Sequence, residues 1–196
     1  MRRSDAARLG ASTAVAVASS AVARTRVVNP TEDDVFRLVN GLPQRLELPT
    51  LIVMQAGSLP AVFVAGAIAG GLDRRRLAGA TVVAGTAVWV GCKGLKRWIG
   101  RGRPAEHLEH VRRRGALAAG LGFPSGHAAV AATLATLLVP EVGRPLRCGI
   151  VAAAATTALA RVYVGAHLPL DSVGGAAIGI AAGTVTRLAA GLTAEP

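Results

Sequence analysis

The sequence predicts an all-α fold, a polytopic membrane helix bundle with about six transmembrane helices. Three observations support this prediction. Apolar residues make up 52% of the 196 residues, and the mean hydropathy of +0.46 is high for a soluble domain. Several apolar runs approach the roughly 20 residues that a helix needs to cross a bilayer core. The cations, which give a net charge of +11, are concentrated between those runs.

The clearest predicted span is Leu48–Leu72, which has 25 residues without a charge. Pro60 lies inside it and is expected to kink the helix. Further apolar runs follow at the spacing of successive spans: Leu77–Leu95, Pro124–Pro140, Pro145–Tyr163 and Leu170–Leu192. The length suits one domain, so residues 1–196 are taken as a single membrane-embedded unit.

The N-terminal run Leu9–Ala23 is the weakest, with 15 uncharged residues after a basic flank. We favour a retained first span. The ending Ala21-Val22-Ala23 also fits a signal-peptidase site, so residues 1–23 have a second interpretation as a cleaved signal or interfacial helix.

Residues 30–42 predict a short amphipathic helix. Thr31 is a suitable N-cap, and acidic residues follow it, as is usual at a helix start. The apolar stripe comprises Val35, Phe36, Leu38, Val39 and Leu42. A helix of this kind can lie on the membrane surface, but we favour a plain amphipathic connector.

Composition also argues against some function classes. The basic charge would suit nucleic acid, but there is no RNA-binding signature and only 3% of residues are aromatic, so we expect no nucleic-acid partner. Cys92 and Cys148 form no CxxC pair and are expected to be free thiols. No spacing predicts a metal site or a cofactor.

Charged side chains at membrane depth are costly and by default indicate function. Strict alternation of six spans places residues 1–8, 73–76, 141–147 and 193–196 on one face, and residues 24–47, 96–123 and 164–169 on the other. The second face collects the polar groups at the span ends: Lys96, Arg103, Ser125, His127, Arg161, His167 and Asp171. Other cations near it are expected to be mostly solvated or lipid-facing: Lys93, Arg97, Arg101, Arg112, Arg113 and Arg114.

These residue types are suited to phosphate chemistry. Lysine and arginine bind phosphate oxygens. Ser125 and Gly126 lie where a helix should begin, and the free N–H groups of a helix start attract anions. Two histidines can divide nucleophilic and acid–base work. Asp171 lies four residues after His167 and can fix its tautomer if the intervening turn is helical, with Pro169 in a first helical turn.

Three segments together resemble the signature of the type 2 phosphatidic acid phosphatase superfamily. They are Lys96-x6-Arg103-Pro104, then Pro124-Ser125-Gly126-His127, then Arg161-x5-His167-x3-Asp171. Their order and internal spacings agree with the family, and they cover residues 96–171. One departure is Ala160, where the family usually has a serine before the arginine, and we expect this to tune activity only modestly.

The resemblance implies a metal-independent phosphatase. By this resemblance His167 is the nucleophile that forms a phosphohistidine, Asp171 orients it, and His127 is the general acid and base. The phosphoryl oxygens are held by Lys96, Arg103, Ser125, the Gly126 amide and Arg161.

The expected substrate is a lipid phosphate, either a polyprenyl phosphate or diphosphate or a phosphatidic-acid-like lipid. The surrounding membrane lipids are the other expected partners. Polyprenyl carriers of the cell envelope are favoured by analogy. Alternatives are a lipid or sugar phosphotransferase, a vanadate-dependent haloperoxidase-like enzyme, and a catalytically relict scaffold. The oligomeric state is not predicted.

The membrane orientation is not decided by charge. Nine Lys and Arg residues lie on the face of the termini, and ten lie on the other face once Lys96, Arg103 and Arg161 are set aside as catalytic. The resemblance implies a multi-pass protein of the cell membrane with its site on the extracytoplasmic face.

Overall fold

The computed structural model describes residues 3–116 and 119–192, and within them the chain forms helices and no β-strand. Residues 1–2, 117–118 and 193–196 lie outside the described residues. The placement of Arg2 and of residues 193–196 on the terminal face therefore stays a prediction. The helices are α1 Arg3–Arg24, α2 Pro30–Asn40, α3 Glu47–Met54, α4 Leu59–Gly71, α5 Arg75–Ile99, α6 Pro104–His107, α7 Gly126–Leu138, α8 Arg144–Tyr163 and α9 Pro169–Ala189.

The predicted all-α membrane bundle is confirmed. Among the described residues, α1, α8, α9 and the segment Arg75–His107 are long and apolar enough to cross a membrane. A fifth candidate is the pair of segments Gln44–Gly57 and Leu59–Gly71, bent by 61°. The remaining predicted span is α7, which has only 13 residues and is therefore about 20 Å long. It is shorter than the ~30 Å core, and it lies inside the bundle, in contact with α5, α8 and α9.

Helices α7 and α9 approach each other closely along a line of glycines. A Cβ atom on Gly179 would lie 2.1 Å from the Ala129 carbonyl oxygen, and one on Gly175 would lie 2.4 Å from the Ser125 carbonyl oxygen. Thr133 Oγ1 donates to the Gly179 carbonyl oxygen at 3.2 Å. Small residues of this kind let helix backbones meet in lipid. The Ser125 amide also donates to the Asp171 carbonyl oxygen at 2.9 Å, which places the start of α7 against the first turn of α9.

The bend in the predicted span Leu48–Leu72 occurs before Pro60. Ser58 caps α4 by accepting from the Ala61 amide, and Pro60 occupies the first turn, where its missing N–H costs nothing. The chain turns at Gly57, where a Cβ atom would lie 2.3 Å from the His127 carbonyl oxygen. The break between α3 and α4 is therefore packed on the first turn of α7, so it borders the predicted site.

Helix α2 forms as predicted, but it presents a different face to the protein. Asn29, not Thr31, caps it through the Glu32 amide. Phe36 is buried against Val162 and Leu168, at the ends of α8 and α9. Three of the five residues assigned to the apolar stripe are exposed, Leu38 by 72%. The buried positions are instead residues 32, 36 and 40, spaced one helical turn apart.

Candidate active site

The seven polar residues predicted to share one face, together with Gly126, come from six parts of the chain. Lys96 lies in the last turn of α5, Arg103 precedes α6, and Arg161 lies in the last turn of α8. Ser125, Gly126 and His127 form the start of α7, His167 lies in the α8–α9 connection, and Asp171 is in the first turn of α9. Contacts across this end of the bundle, such as the 3.1 Å bond from the Arg114 amide to the Val164 carbonyl, join these connections.

His167 is buried, with its two ring nitrogens facing different groups. Its Nδ1 lies 3.5 Å from Asp171 Oδ2, and its Nε2 lies 3.3 Å from Arg103 Nη1. The first distance is longer than a normal N–H···O bond, and no closer partner of Nδ1 occurs among the described residues. The ring therefore turns Nδ1 toward the carboxylate and Nε2 toward the cations. Pro169 begins α9, as expected.

The surroundings of His167 favour its neutral form. Burial lowers the pKa of His167 well below its usual 6.5, and the charges of Lys96, Arg161 and Arg103 lower it further. At neutral pH the ring therefore carries one proton and one free lone pair. With Nδ1 protonated toward Asp171, the lone pair is on Nε2, beside the Arg103 guanidinium.

Asp171 is fully buried, and both of its oxygens have partners. Oδ2 accepts from the Leu168 amide at 2.9 Å, which caps α9, and the same oxygen faces His167. Oδ1 accepts from Arg101 Nη1 at 3.1 Å. This carboxylate can therefore cap α9 and orient His167 at the same time.

Arg101 is not solvated or lipid-facing, as the sequence suggested. Its side chain has no exposed surface and pairs with Glu32 of α2 at 2.6 Å as well as with Asp171. The sequence interpretation missed Glu32, which it treated only as one of the acidic residues at the start of α2. The signal for Glu32 is its spacing from Phe36 and Asn40 along one helix face.

Arg114 is a second cation that the sequence misplaced. It is buried, stacks 4.1 Å from the Tyr163 ring, and donates to the carbonyl oxygens of Tyr163, Asn40 and Leu42. These contacts fix the loop before α7 against the ends of α2 and α8. Arg112 and Arg113 are exposed, as expected.

The three cations expected to hold phosphate are anchored to the protein near His167. Lys96 Nζ donates to the carbonyl oxygens of Leu121 and Gly122 at 2.8 and 2.7 Å. Arg103 donates to the carbonyl oxygens of Ala119, Gly120 and Ala166. Arg161 Nη1 lies 2.9 Å from Met54 Sδ, and its buried Nε makes no hydrogen bond within the described residues.

The start of α7 supplies free backbone donors and the second histidine. Ser125 is the N-cap, with its Oγ 3.5 Å from the Ala128 amide. Among the described residues, a Cβ atom on Gly126 would meet only the Trp89 ring, at 3.6 Å, so these residues do not require glycine there. The His127 ring packs edge-on against Trp89 at 5.6 Å. Together these groups form the α7 side of the site.

The serine that the resemblance led us to expect before Arg161 would find an apolar environment. Ala160 is buried in a cluster with Met54, Tyr163, Val164 and Ala166.

The sequence profile of the PAP2 superfamily matches residues 76–192, which is more than half of the chain. The protein therefore belongs to the PAP2 superfamily. Among solved structures it is similar to LpxE from Aquifex aeolicus, with 28% identity over 79% of this chain and 93% of that one and a TM-score of 0.72.

A second similar structure is the transmembrane PAP2-type phosphatidylglycerolphosphate phosphatase from Bacillus subtilis. It is 18% identical, covers 88% of this chain and 94% of its own, and has a TM-score of 0.67. At that identity the likeness concerns the fold alone. No curated protein matches the chain. The protein is thus a multi-pass membrane protein with the fold of the membrane phosphatases of the superfamily.

Proposed function

We propose that this protein is an integral-membrane lipid phosphatase that works through a phosphohistidine on His167. The observation that carries the proposal is the orientation of the His167 ring, whose Nε2 lies 3.3 Å from Arg103 while Nδ1 faces Asp171. A nucleophilic nitrogen next to an arginine fork is where a phosphoryl group would need to bind.

In the proposed first step the Nε2 lone pair attacks phosphorus, and the bond from phosphorus to the lipid oxygen breaks. His127 donates its proton to that leaving oxygen. In the second step His127 takes a proton from water, whose oxygen attacks phosphorus and breaks the P–N bond. Inorganic phosphate and neutral His167 result, and His127 again carries its proton.

The proposed role of the cations is to stabilise charge on the phosphoryl oxygens. Phosphoryl transfer depends mainly on positioning and on such stabilisation, so no metal is required by this scheme. Lys96, Arg103 and Arg161 surround the two histidines, and the Ser125 hydroxyl and Gly126 amide add donors at the start of α7. Each preorganised donor of this kind contributes roughly 3–4 kcal/mol to the transition state.

The proposed substrate is a phosphomonoester or diphosphate on a lipid. The support is the placement of the site at the end of membrane-spanning helices, where a head group can reach it from the bilayer. Polyprenyl phosphates and diphosphates are the leading class, and phosphatidic-acid-like lipids are the second.

The test is release of inorganic phosphate by the purified protein in detergent, from polyprenyl phosphate, polyprenyl diphosphate, phosphatidic acid and phosphatidylglycerophosphate. We expect His167→Ala to abolish release, and to prevent alkali-stable labelling by a 32P-labelled substrate. His110→Asn is the matched control, because His110 is an exposed histidine with a φ of 57° that asparagine tolerates. Equal turnover by His167→Ala would refute the nucleophile, and transfer of label to an added alcohol instead of water would favour a phosphotransferase.

We also propose that the site faces the extracytoplasmic side of the cell membrane. In a background with Cys92 and Cys148 changed to serine, a cysteine at exposed Glu109 would report the face of the site, and one at exposed Arg144 the opposite face. We expect an impermeant thiol reagent to label intact cells only at position 109. Labelling only at position 144 would reverse the orientation.

A further inference from the structure

Three charged side chains form a buried network behind the proposed nucleophile. Glu32 is 6% exposed, and Arg101 and Asp171 are not exposed at all. Arg101 donates to both oxygens of Glu32, at 3.1 and 2.6 Å, and to Asp171 Oδ1 at 3.1 Å. Two carboxylates thus share one guanidinium.

Glu32 is an unusual member of this network, because it lies outside residues 76–192 that match the superfamily. Burying a carboxylate is costly even when it is paired, and an apolar side chain would serve packing alone. Glu32 also accepts from the Leu170 amide at 3.0 Å, directly before Asp171. Glu32 therefore holds Arg101, which binds the Asp171 carboxylate, and also the backbone next to Asp171.

We infer that Glu32 and Arg101 are positioning residues of the active site, which fix the Asp171 carboxylate in the rotamer that orients His167. Glu32 engages both terminal nitrogens of Arg101, so the guanidinium plane is held in one orientation. Arg101 then occupies Oδ1 of Asp171 and leaves Oδ2 for the Leu168 amide and for His167. This inference rests on the proposed function, and it adds α2 to the catalytic centre.

Helix α2 is fixed firmly enough to act in this way. Its C-terminal end is held by Asn40, whose Nδ2 donates to the carbonyl oxygens of Tyr163 and Arg112 at 2.9 and 2.8 Å. Its N-terminal end is held by Glu32. The segment that the sequence suggested was a surface connector is thus bonded at both ends to the residues that flank the site.

The test compares Glu32→Gln with Asp34→Asn, a matched change of an exposed acid on the same helix. We expect Glu32→Gln to lower kcat between about 10- and 100-fold, the usual effect of small misplacements in an active site. The KM and the inhibition constant of inorganic phosphate should change less than about threefold, because the cations near the phosphoryl group are untouched. Asp34→Asn should match wild type.

A pH profile separates positioning from a general loss of folding. Loss of the negative charge in Glu32→Gln disfavours protonated His167 and should move the acid limb of kcat/KM to lower pH. Loss of the positive charge in Arg101→Met should move it to higher pH. Both variants leave in place the other charged or titratable side chains that face His167: Lys96 of α5, Arg103, His127 of α7, Arg161 of α8 and Asp171 of α9.

The same shifts can be followed without turnover, by NMR titration of the 15N-labelled His167 ring in detergent. A wild-type protein without activity on any phosphate would refute the proposed function, while opposite shifts of the His167 titration in the two variants would still support the network. An active wild type with Glu32→Gln within twofold of its kcat would overturn the inference. Shifts in the same direction in both variants, in proportion to lost thermal stability, would do so too.

Discussion

The replacement Asp171→Asn tests the centre of the site at the level of single hydrogen bonds. Three donors approach the two oxygens of this carboxylate: Arg101 Nη1 at 3.1 Å, the Leu168 amide at 2.9 Å, and His167 Nδ1 at 3.5 Å. Asparagine offers one oxygen and one NH₂ group. In either flip of the amide, its NH₂ group therefore points at a donor.

The two flips have different consequences. With NH₂ toward Arg101, one charge-assisted bond of a buried guanidinium is lost, which costs about 1.5–3 kcal/mol of stability. With NH₂ toward His167, Nδ1 must accept, so Nε2 is protonated and cannot attack phosphorus. The equivalent change in a Ser-His-Asp triad lowers kcat roughly 10⁴-fold through the wrong tautomer. We expect a loss of about 10³- to 10⁴-fold, or about 4–5.5 kcal/mol of transition-state stabilisation.

The assay is kcat for phosphate release in detergent, with the thermal midpoint measured on the same sample. Ser172→Ala is the control, because the Ser172 hydroxyl donates to the Ala158 carbonyl at 3.0 Å and has no bond to the carboxylate. If Asp171→Asn kept kcat within tenfold of wild type, the orientation of His167 by this residue would be refuted. Asp171 would then serve only to cap α9 through the Leu168 amide.

Three further outcomes follow from the same contacts. The surroundings of His167 lower its pKa well below 6.5, so kcat/KM should stay level as the pH falls to about 6.5 and should decline only below that pH. A decline centred near pH 6.5 would contradict a buried nucleophile. Gly179→Ala places a Cβ atom 2.1 Å from the Ala129 carbonyl oxygen and should destabilise the fold by about 1–3 kcal/mol, whereas Gly94→Ala, with open space around its Cβ, should be neutral or stabilising in the same thermal unfolding experiment. Arg114→Ala removes charge-assisted bonds to three carbonyl oxygens and should cost about 3 kcal/mol of stability, while exposed Arg113→Ala should cost almost nothing. Equal melting temperatures of the two variants would show that these Arg114 bonds do not stabilise the fold.

The sequence predicted the bundle because hydrophobicity acts over whole segments. Each apolar run corresponds to a helix or a bent helix pair, and alternation of the runs placed the seven polar residues at one end. The short length of α7 was not predicted, since an interior helix and a lipid-facing one have similar composition. The bend was predicted at Pro60 but occurs at Ser58, because proline is well accommodated in the first turn of a helix and α4 begins there.

The buried ion pairs could not be predicted in the same way. Arg101 and Glu32 are 69 residues apart, and Arg101 follows closely after two cations that resemble it in sequence. Whether an arginine faces lipid, water or a carboxylate depends on the tertiary contact itself. The period of residues 32, 36 and 40 was visible, but the neighbouring apolar residues Val35 and Leu38 suggested a different face.

The spacing of the third motif has a local structural reason. After α8 ends, the amides of Ala166 and His167 both donate to the Arg161 carbonyl oxygen, at 3.1 and 3.0 Å. Gly165, directly before Ala166, makes this turn possible with a φ of 73°. Five residues between Arg161 and His167 are therefore what this helix ending provides. Helix α9 then starts at Pro169, and Asp171 returns to the Leu168 amide from the third helical position, as a capping residue does. Three residues between His167 and Asp171 are what this helix start provides. One added residue in the first interval would move the His167 ring away from Arg161, and one in the second would separate the ring from the Asp171 carboxylate. The positions of these side chains therefore depend on how two helices end and begin.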